Sequence, residues 1–248
     1  MIILKSSQEI EYMRQAGRIT ALALQELSRK IRPGVTTAEL NRYAEEFIEK
    51  AGAKPAFLGY HGFPASICTS VNNEVVHGIP GLRRLENGDI ISIDMGAIYR
   101  GYYGDAAATF PVGEISEEAK RLLEVTEKAL YEGISKAVAG NRVGDISAAV
   151  QSYVERHGFH VVRDYVGHGI GRNMHEEPQV PNFGKPGVGP RLQPGMVLAI
   201  EPMVNVGTHE VVVMPDGWTV VTKDGSLSAH FEHTVLITEG EPEILTLP

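Results

Sequence analysis

A pair of helical stretches followed by strand-like sequence occurs once in each half of this chain, and that recurrence most constrains its fold. In the first half Ile10, Met13, Ala16, Thr20, Ala23, Leu24 and Leu27 keep helical spacing, with Pro33-Gly34 as the stop. The capping box Thr36-Thr37-Ala38-Glu39 then opens a helix carrying Leu40, Tyr43, Ala44, Phe47 and Ile48, ended by Gly52. In the second half a helix from about Ser116 reaches Gly140. Another, from Asp145, carries Ile146, Ala149, Val150, Tyr153 and Val154 to Gly158. The helix ends themselves match: "FIEKAG" (Phe47 to Gly52) and "YVERHG" (Tyr153 to Gly158) share two apolar residues, Glu, a base and a closing Gly. No low-complexity linker divides the halves, so residues 1–248 are expected to form a single domain of two similar lobes.

Strands are expected over Ile90–Ala97, Tyr102–Phe110, Phe159–Val166, Met196–Val206, Glu210–Met214, Trp218–Thr222 and Ala229–Thr238. "MPDGW" and "KDGS" place Asp-Gly turns between or before strands, so the sheet should be largely antiparallel. Helices and strands in this order indicate an α+β fold.

Charge narrows the function. With 23 basic and 31 acidic residues the net charge is −8, which disfavours a surface for nucleic acid. The single cysteine, Cys68, excludes an intramolecular disulfide and fits a reducing compartment. The start, "MIILKSSQEIEYMRQ", lacks the apolar stretch and cleavage site of a signal peptide. No apolar run approaches the ~18–20 residues of a membrane span. A soluble cytoplasmic protein is expected.

The chemistry lies in acids placed inside apolar strands. "DIISIDMGAIYRGYYGDAAATFPV" reads as a β-hairpin turning near Tyr99-Arg100-Gly101. A midpoint between residues 99 and 100 sets Asp94 and Asp105 opposite each other on one face, roughly 5 Å apart at Cα. Either they are two solvated aspartates near a turn, or a cation sits between them; their apolar and small neighbours favour the cation. Glu201 in "GMVLAIEPMV" and Glu232 in "AHFEHTVLIT" also interrupt apolar runs, where an unpaired carboxylate is costly. Together these four carry −4, which two divalent cations would neutralise. In "VGHGIGRNMHEEP", His168 and His175 flank a glycine-rich span that is a phosphate loop, a close-approach loop at a metal site, or a surface turn. Oxygen-rich ligation with one imidazole suits Mn²⁺, Fe²⁺, Co²⁺ or Zn²⁺. Two such ions roughly 3.5–4 Å apart can share a water, make it hydroxide and polarise a carbonyl.

In these motifs, together with "GYHGFPASICTSVNNEVVHGIP", "MVLAIEPM" and "DGWTVVTKDGSLSAHFEHTVLIT", the chain resembles the type I methionine aminopeptidases. The likeness covers nearly the whole chain. It implies the pita-bread metallopeptidase fold, in which two pseudo-symmetric lobes flank a curved antiparallel sheet. It also implies hydrolysis of N-terminal methionine from nascent peptides when the second residue is small.

By that resemblance Asp94 chelates one metal, Asp105 and Glu232 bridge both, and His168 and Glu201 bind the other. Glu201 also moves a proton between water and the leaving amine. His175 bonds the scissile carbonyl, and His77, in "EVVHGIP", contacts the scissile nitrogen. Tyr60, Phe63, Cys68, Met174 and Trp218 match the methionine pocket, where Phe57 and Met174 replace the family's frequent Cys and Phe. Asn72 and Ser228 match ligands of a monovalent cation, and His61, His230 and His233 are left as structural. The resemblance implies a monomer that acts on nascent polypeptide N-termini, with transient ribosome association.

Two other functions remain to be weighed. An X-Pro aminopeptidase or dipeptidase of the same fold usually carries an extra N-terminal domain, whereas the first helix here starts within ten residues of Met1. A binding protein that lost its metals would not keep all five ligand positions. The helical insertion of the type II enzymes has no room in the 33 positions from His168 to Glu201.

Overall fold

The computed structural model describes residues 1–248. Four helices form where the periodicity places them: α1 (Ser7–Ser28), α2 (Thr37–Lys50), α3 (Glu117–Ser135) and α4 (Val143–Arg156). The Thr36 box closes as expected. Its hydroxyl accepts the Glu39 N–H at 3.1 Å, and the Glu39 carboxylate accepts the Thr36 N–H at 2.7 Å. Ser6 and Glu9 cap α1 in the same way, a box absent from the sequence expectations. Helix α3 stops at Ser135, short of Gly140, and a turn covers the remainder.

The strands are β1 (Lys54–Pro55), β2 (Ile67–Val71), β3 (Glu74–Val76), β4 (Ile90–Tyr99), β5 (Tyr102–Pro111), β6 (His160–Val161), β7 (Gly167–Gly169), β8 (Glu176–Val180), β9 (Val197–Ile200), β10 (Met203–Asn205), β11 (Val211–Val213), β12 (Val220–Thr222), β13 (Ser228–His230), β14 (His233–Leu236) and β15 (Glu243–Ile244). Every ladder is antiparallel. The ladders form four groups, β1-β4-β2 with β5 on β4, β13-β10-β6, β11-β12-β3, and β15-β14-β9-β7-β8.

Four expected strands change. Ala229–Thr238 divides at Phe231-Glu232 into β13 and β14, which pair in different sheets. Of Phe159–Val166 only His160–Val161 pairs, and the chain resumes as strand at Gly167. Met196–Val206 divides at Glu201-Pro202, because proline has no N–H for the ladder. The segment Trp218–Thr222 pairs only from Val220.

Each helix pair covers its own core. One buried cluster joins α1 and α2 residues such as Leu27, Leu40 and Ile48 to Ile67, Ile91 and Ile93. The other joins α3 and α4 residues such as Leu122, Leu130 and Val150 to Leu198, Ile200 and Val204. Helix α1 also lies directly on β5. A Cβ on Gly104 would stand 2.6 Å from the Gly17 nitrogen, so only glycine lets the helix approach this near the sheet centre.

The lobes meet along one antiparallel register between β5 and residues 230–234. At its centre Ala107 and Glu232 exchange backbone hydrogen bonds, at 3.3 and 2.9 Å. On either side threonine hydroxyls replace the backbone rungs. Thr109 accepts the His230 N–H and donates to its carbonyl, at 2.8 and 2.9 Å. Thr234 does the same for Asp105, at 3.1 and 2.7 Å. This seam carries acids from both halves to one place.

Candidate metal centre and active site

The hairpin register differs from the sequence expectation. Arg100 and Gly101 both take positive φ, 49° and 83°, which makes a tight two-residue turn between Tyr99 and Tyr102. Asp94 therefore pairs with Ala107, and Asp105 with Gly96. The aspartates share a face as expected, but as diagonal neighbours rather than a directly opposed pair. Asp94, Ala107 and Glu232 then form one cross-strand row, with Cys68 opposite Asp94 on the other side. The small Ala107 side chain leaves the space that the two acids face.

His168 enters from β7, paired with Ala199 of β9. Gly167 and Gly169 flank it where a Cβ would overlap the carbonyls of Ala199 and Glu177, so the glycines do serve close backbone approach. His168 Nδ1 donates to the Gly169 carbonyl at 2.9 Å, which leaves Nε2 as the free ligand atom. That Nε2 lies 3.2 Å from Glu201 Oε1 and 3.6 Å from Asp105 Oδ2. Donor atoms of Asp105, His168 and Glu232 lie within 4.8 Å of one another, as do those of Asp94, His230 and Glu232.

His230 stands closer to the cluster than the sequence indicated. Left as structural on sequence alone, its Nε2 sits 3.2 Å from Glu201 Oε2 and completes the second donor group. A signal existed, because His230 stands two residues before Glu232 and extended chain repeats every two residues. His233 does point away, with Tyr131 3.2 Å from Nε2 and Thr246 2.8 Å from Nδ1.

The electrostatics describe a cluster short of positive charge. Burial, then the charges of Asp105 and Glu201, push the carboxyls of Asp94 and Glu232 well above their ordinary range. Burial raises Asp105 to about 6, with His168 pulling the other way. Glu201 is buried too, yet its bonds with His168 and His230 bring it down to about 2. Burial opposes the charge on His168, but Glu201 and Asp105 carry it up to about 9. Asp94 Oδ1, Asp105 Oδ1 and both Glu232 oxygens are buried without a hydrogen-bond partner. Orphaned carboxylate oxygens facing one another beside imidazole nitrogen are the donors a divalent cation takes, so the residues fit such ions.

Above the acids opens a cavity of about 230 Å³. Asp94, Asp105, His168 and Glu201 line its polar end, and Phe57, Tyr60, Phe63, Cys68, Met174 and Trp218 its apolar end. Phe63 and Trp218 meet edge to face at 5.2 Å. Burial, and then the Asp94 charge, hold the Cys68 thiol well above its ordinary pKa, so it packs as an apolar wall.

His77, His175 and His61 also line the cavity, His61 being an addition to the expected set. His77 holds φ +61°, a strained backbone of the kind found at functional positions, and packs edge-on to Tyr165. Burial lowers its pKa. Burial, then the charge of His168, brings His175 down to about 4. Asn72 and Ser228 meet away from the cavity, where the Ser228 N–H donates to the Asn72 carbonyl at 3.0 Å.

Residues 11–239 match the profile of metallopeptidase family M24. The chain is 62% identical over 248 residues to a methionine aminopeptidase of Clostridium acetobutylicum, covering 100% of this chain and 99% of that one. The chain belongs to metallopeptidase family M24. Its fold is shared with the crystal structure of methionine aminopeptidase from Thermotoga maritima at a TM-score of 0.99 and 51% identity, each chain covered completely. The prolidase of Pyrococcus horikoshii is a more distant structural neighbour. There the TM-score is 0.79 and the identity 26%, with 99% of this chain and 64% of that one covered. The pita-bread architecture expected from the sequence is therefore the observed one.

Proposed function

We propose that this M24 chain hydrolyses the N-terminal methionine from peptides and proteins whose second residue is small, as one catalytic domain. The observation that carries this is the set of orphaned acids at the base of a cavity whose other end is apolar. Full-length similarity to a methionine aminopeptidase supports the same reading.

Asp94, Asp105, His168, Glu201 and Glu232 would hold two divalent cations, drawn from Co, Mn, Fe or Zn. Such a pair, when bound, lowers the pKa of water and polarises a carbonyl. The remaining work falls to side chains. His230 holds Glu201 Oε2, which aims Oε1 at His168 and the substrate side of the cluster. Glu201 accepts a proton from the attacking water and delivers it to the departing amine. His175 donates to the scissile carbonyl oxygen as it gains charge, and His77 contacts the scissile nitrogen. Tyr60, Phe63, Cys68, Met174 and Trp218 receive the methionine side chain, whose thioether suits aromatic walls.

The acidic surface and the lone buried cysteine support a cytoplasmic enzyme that acts on emerging polypeptide N-termini without binding nucleic acid. No helix is long and apolar enough to cross a membrane. The deciding assay adds defined metals to apoprotein and compares a Met-Gly-Met peptide with an X-Pro peptide. Preferential cleavage of Met-Gly-Met is expected; preferential cleavage of the X-Pro bond would replace this reading with a prolidase-type one.

A further inference from the structure

Lys5 and Glu176 form an ion pair of 2.6 Å whose side chains are only 4% and 6% exposed. No other lysine or arginine ion pair in the chain is buried on both sides. Neither residue touches the reacting groups described above. Burying two charges is costly, and such pairs are weak devices for stability alone. Their position says more.

Glu176 directly follows His175 and opens β8. One of its oxygens takes the Lys5 ammonium, while the other accepts the Asn173 N–H at 3.2 Å. The carboxylate thus closes the loop between β7 and β8 that carries Met174 and His175. Lys5 is itself anchored, its backbone N–H bonded to the Gly195 carbonyl at 2.8 Å. Gly195 in turn donates to the Ile237 carbonyl at 2.9 Å.

The passage is fitted to the pair. A Cβ on Gly171 would overlap the Lys5 side chain and stand 2.7 Å from Glu176 Oε1. Gly171 also accepts the Tyr103 N–H at 3.0 Å, two residues from Asp105 on β5. The loop is therefore tied to the metal-bearing strand at one point and to the lead-in of α1 at the other.

We propose that the Lys5–Glu176 pair is a positioning device for His175, holding its ring over the scissile carbonyl. This rests on the role of His175 given above. A reacting contact misplaced by about 1 Å loses as much as ~10²-fold in rate, so a buried clamp next to the residue has a direct catalytic consequence.

A double-mutant cycle tests it in metal-loaded full-length protein, with kcat and KM on Met-Gly-Met, metal content and Tm measured throughout. Lys5→Met and Glu176→Gln are each made alone and combined with His175→Ala. Glu176→Gln keeps the side-chain shape and an acceptor for Asn173, so it decides the matter if Lys5→Met does not fold. Each single variant should lower kcat by roughly 10-fold with KM within about twofold and metal content unchanged. In the His175→Ala background the same changes should cost less than about twofold, because the group they position is gone. Losses that multiply in that background overturn the clamp while leaving His175 in the mechanism. So does an undiminished kcat in both single variants. A His175→Ala enzyme with wild-type kcat overturns the role of His175 itself, and the clamp with it.

Discussion

The Tyr60 hydroxyl lies 2.7 Å from His175 Nδ1. Burial raises the phenol pKa and lowers that of the imidazole to about 4, so both are neutral at physiological pH. A phenol that donates to Nδ1 leaves the His175 hydrogen on Nε2, the nitrogen without an intramolecular partner. With the bond in that direction, Tyr60 sets the tautomer that can donate to a carbonyl oxygen. Tyr60→Phe should lower kcat by roughly 3- to 10-fold and leave metal content unchanged. Steady-state kinetics with metal analysis checks this. An unaltered kcat would show that the tautomer is set by something else.

The two histidines of the glycine-rich loop should separate cleanly. His168 Nε2 faces Glu201 and Asp105, so His168→Ala should reduce bound metal. His175→Ala should retain metal and lower kcat more than it raises KM, since its contact strengthens in the transition state. Equal metal loss in both would reverse the assignment.

Glu201→Gln should cost at least ~10²-fold in kcat, because a proton carrier and a charged ligand vanish together. Near-normal kcat with metal retained would remove Glu201 from the proton path.

Metal-free protein should lose activity and grow less stable as pH rises from about 5 to about 7.5. The sign follows from the acids. Asp105 moves from 3.8 up to about 6 on folding, and Asp94 and Glu232 move further the same way. The unfolded chain releases these protons first, so stability present at low pH is lost as pH rises through the folded values. His168, raised to about 9, acts in the same direction. Glu201, held at about 2, contributes oppositely, its stability being lost only as pH falls below about 4.5. Cations displace the protons, so added metal should raise Tm more at about pH 7.5 than at about pH 5. Thermal denaturation with and without chelator gives the answer. Full turnover by chelated protein would sink the two-metal reading.

Selectivity at the second residue should be steep. On the proposed reaction a bulky side chain there would clash beside the acids, and a β-branched one has little χ1 freedom to turn aside. A peptide with the sequence of residues 1–5, Met-Ile-Ile-Leu-Lys, should be cleaved far more slowly than Met-Gly or Met-Ala peptides. Comparable kcat/KM for Ile and Gly at that position would remove the steric account.

Residue chemistry and local periodicity were legible in the sequence. The four helices follow from spacing and caps, since helical hydrogen bonds and capping partners lie within a few residues of one another. The four candidate carboxylate ligands were visible because acids inside apolar strands need a reason to be there, whereas His168 was singled out as a ligand only by the family resemblance. Even the shared face of Asp94 and Asp105 was correct, since the turn shift moved the pairing by two residues and preserved parity.

Only the tertiary structure decided who meets whom. Arg100 at a positive φ is not a residue that announces a tight turn, so the true register was hidden. The seam that sets Glu232 against Ala107, and Thr109 and Thr234 against their partners, joins segments far apart in the chain. Pairing at such separation depends on how the two helix-covered lobes dock, which no local pattern encodes. For the same reason His230 read as a structural histidine and Lys5 attracted no notice. Each acquires a role only through a carboxylate brought to it by the fold, Glu201 for one and Glu176 for the other.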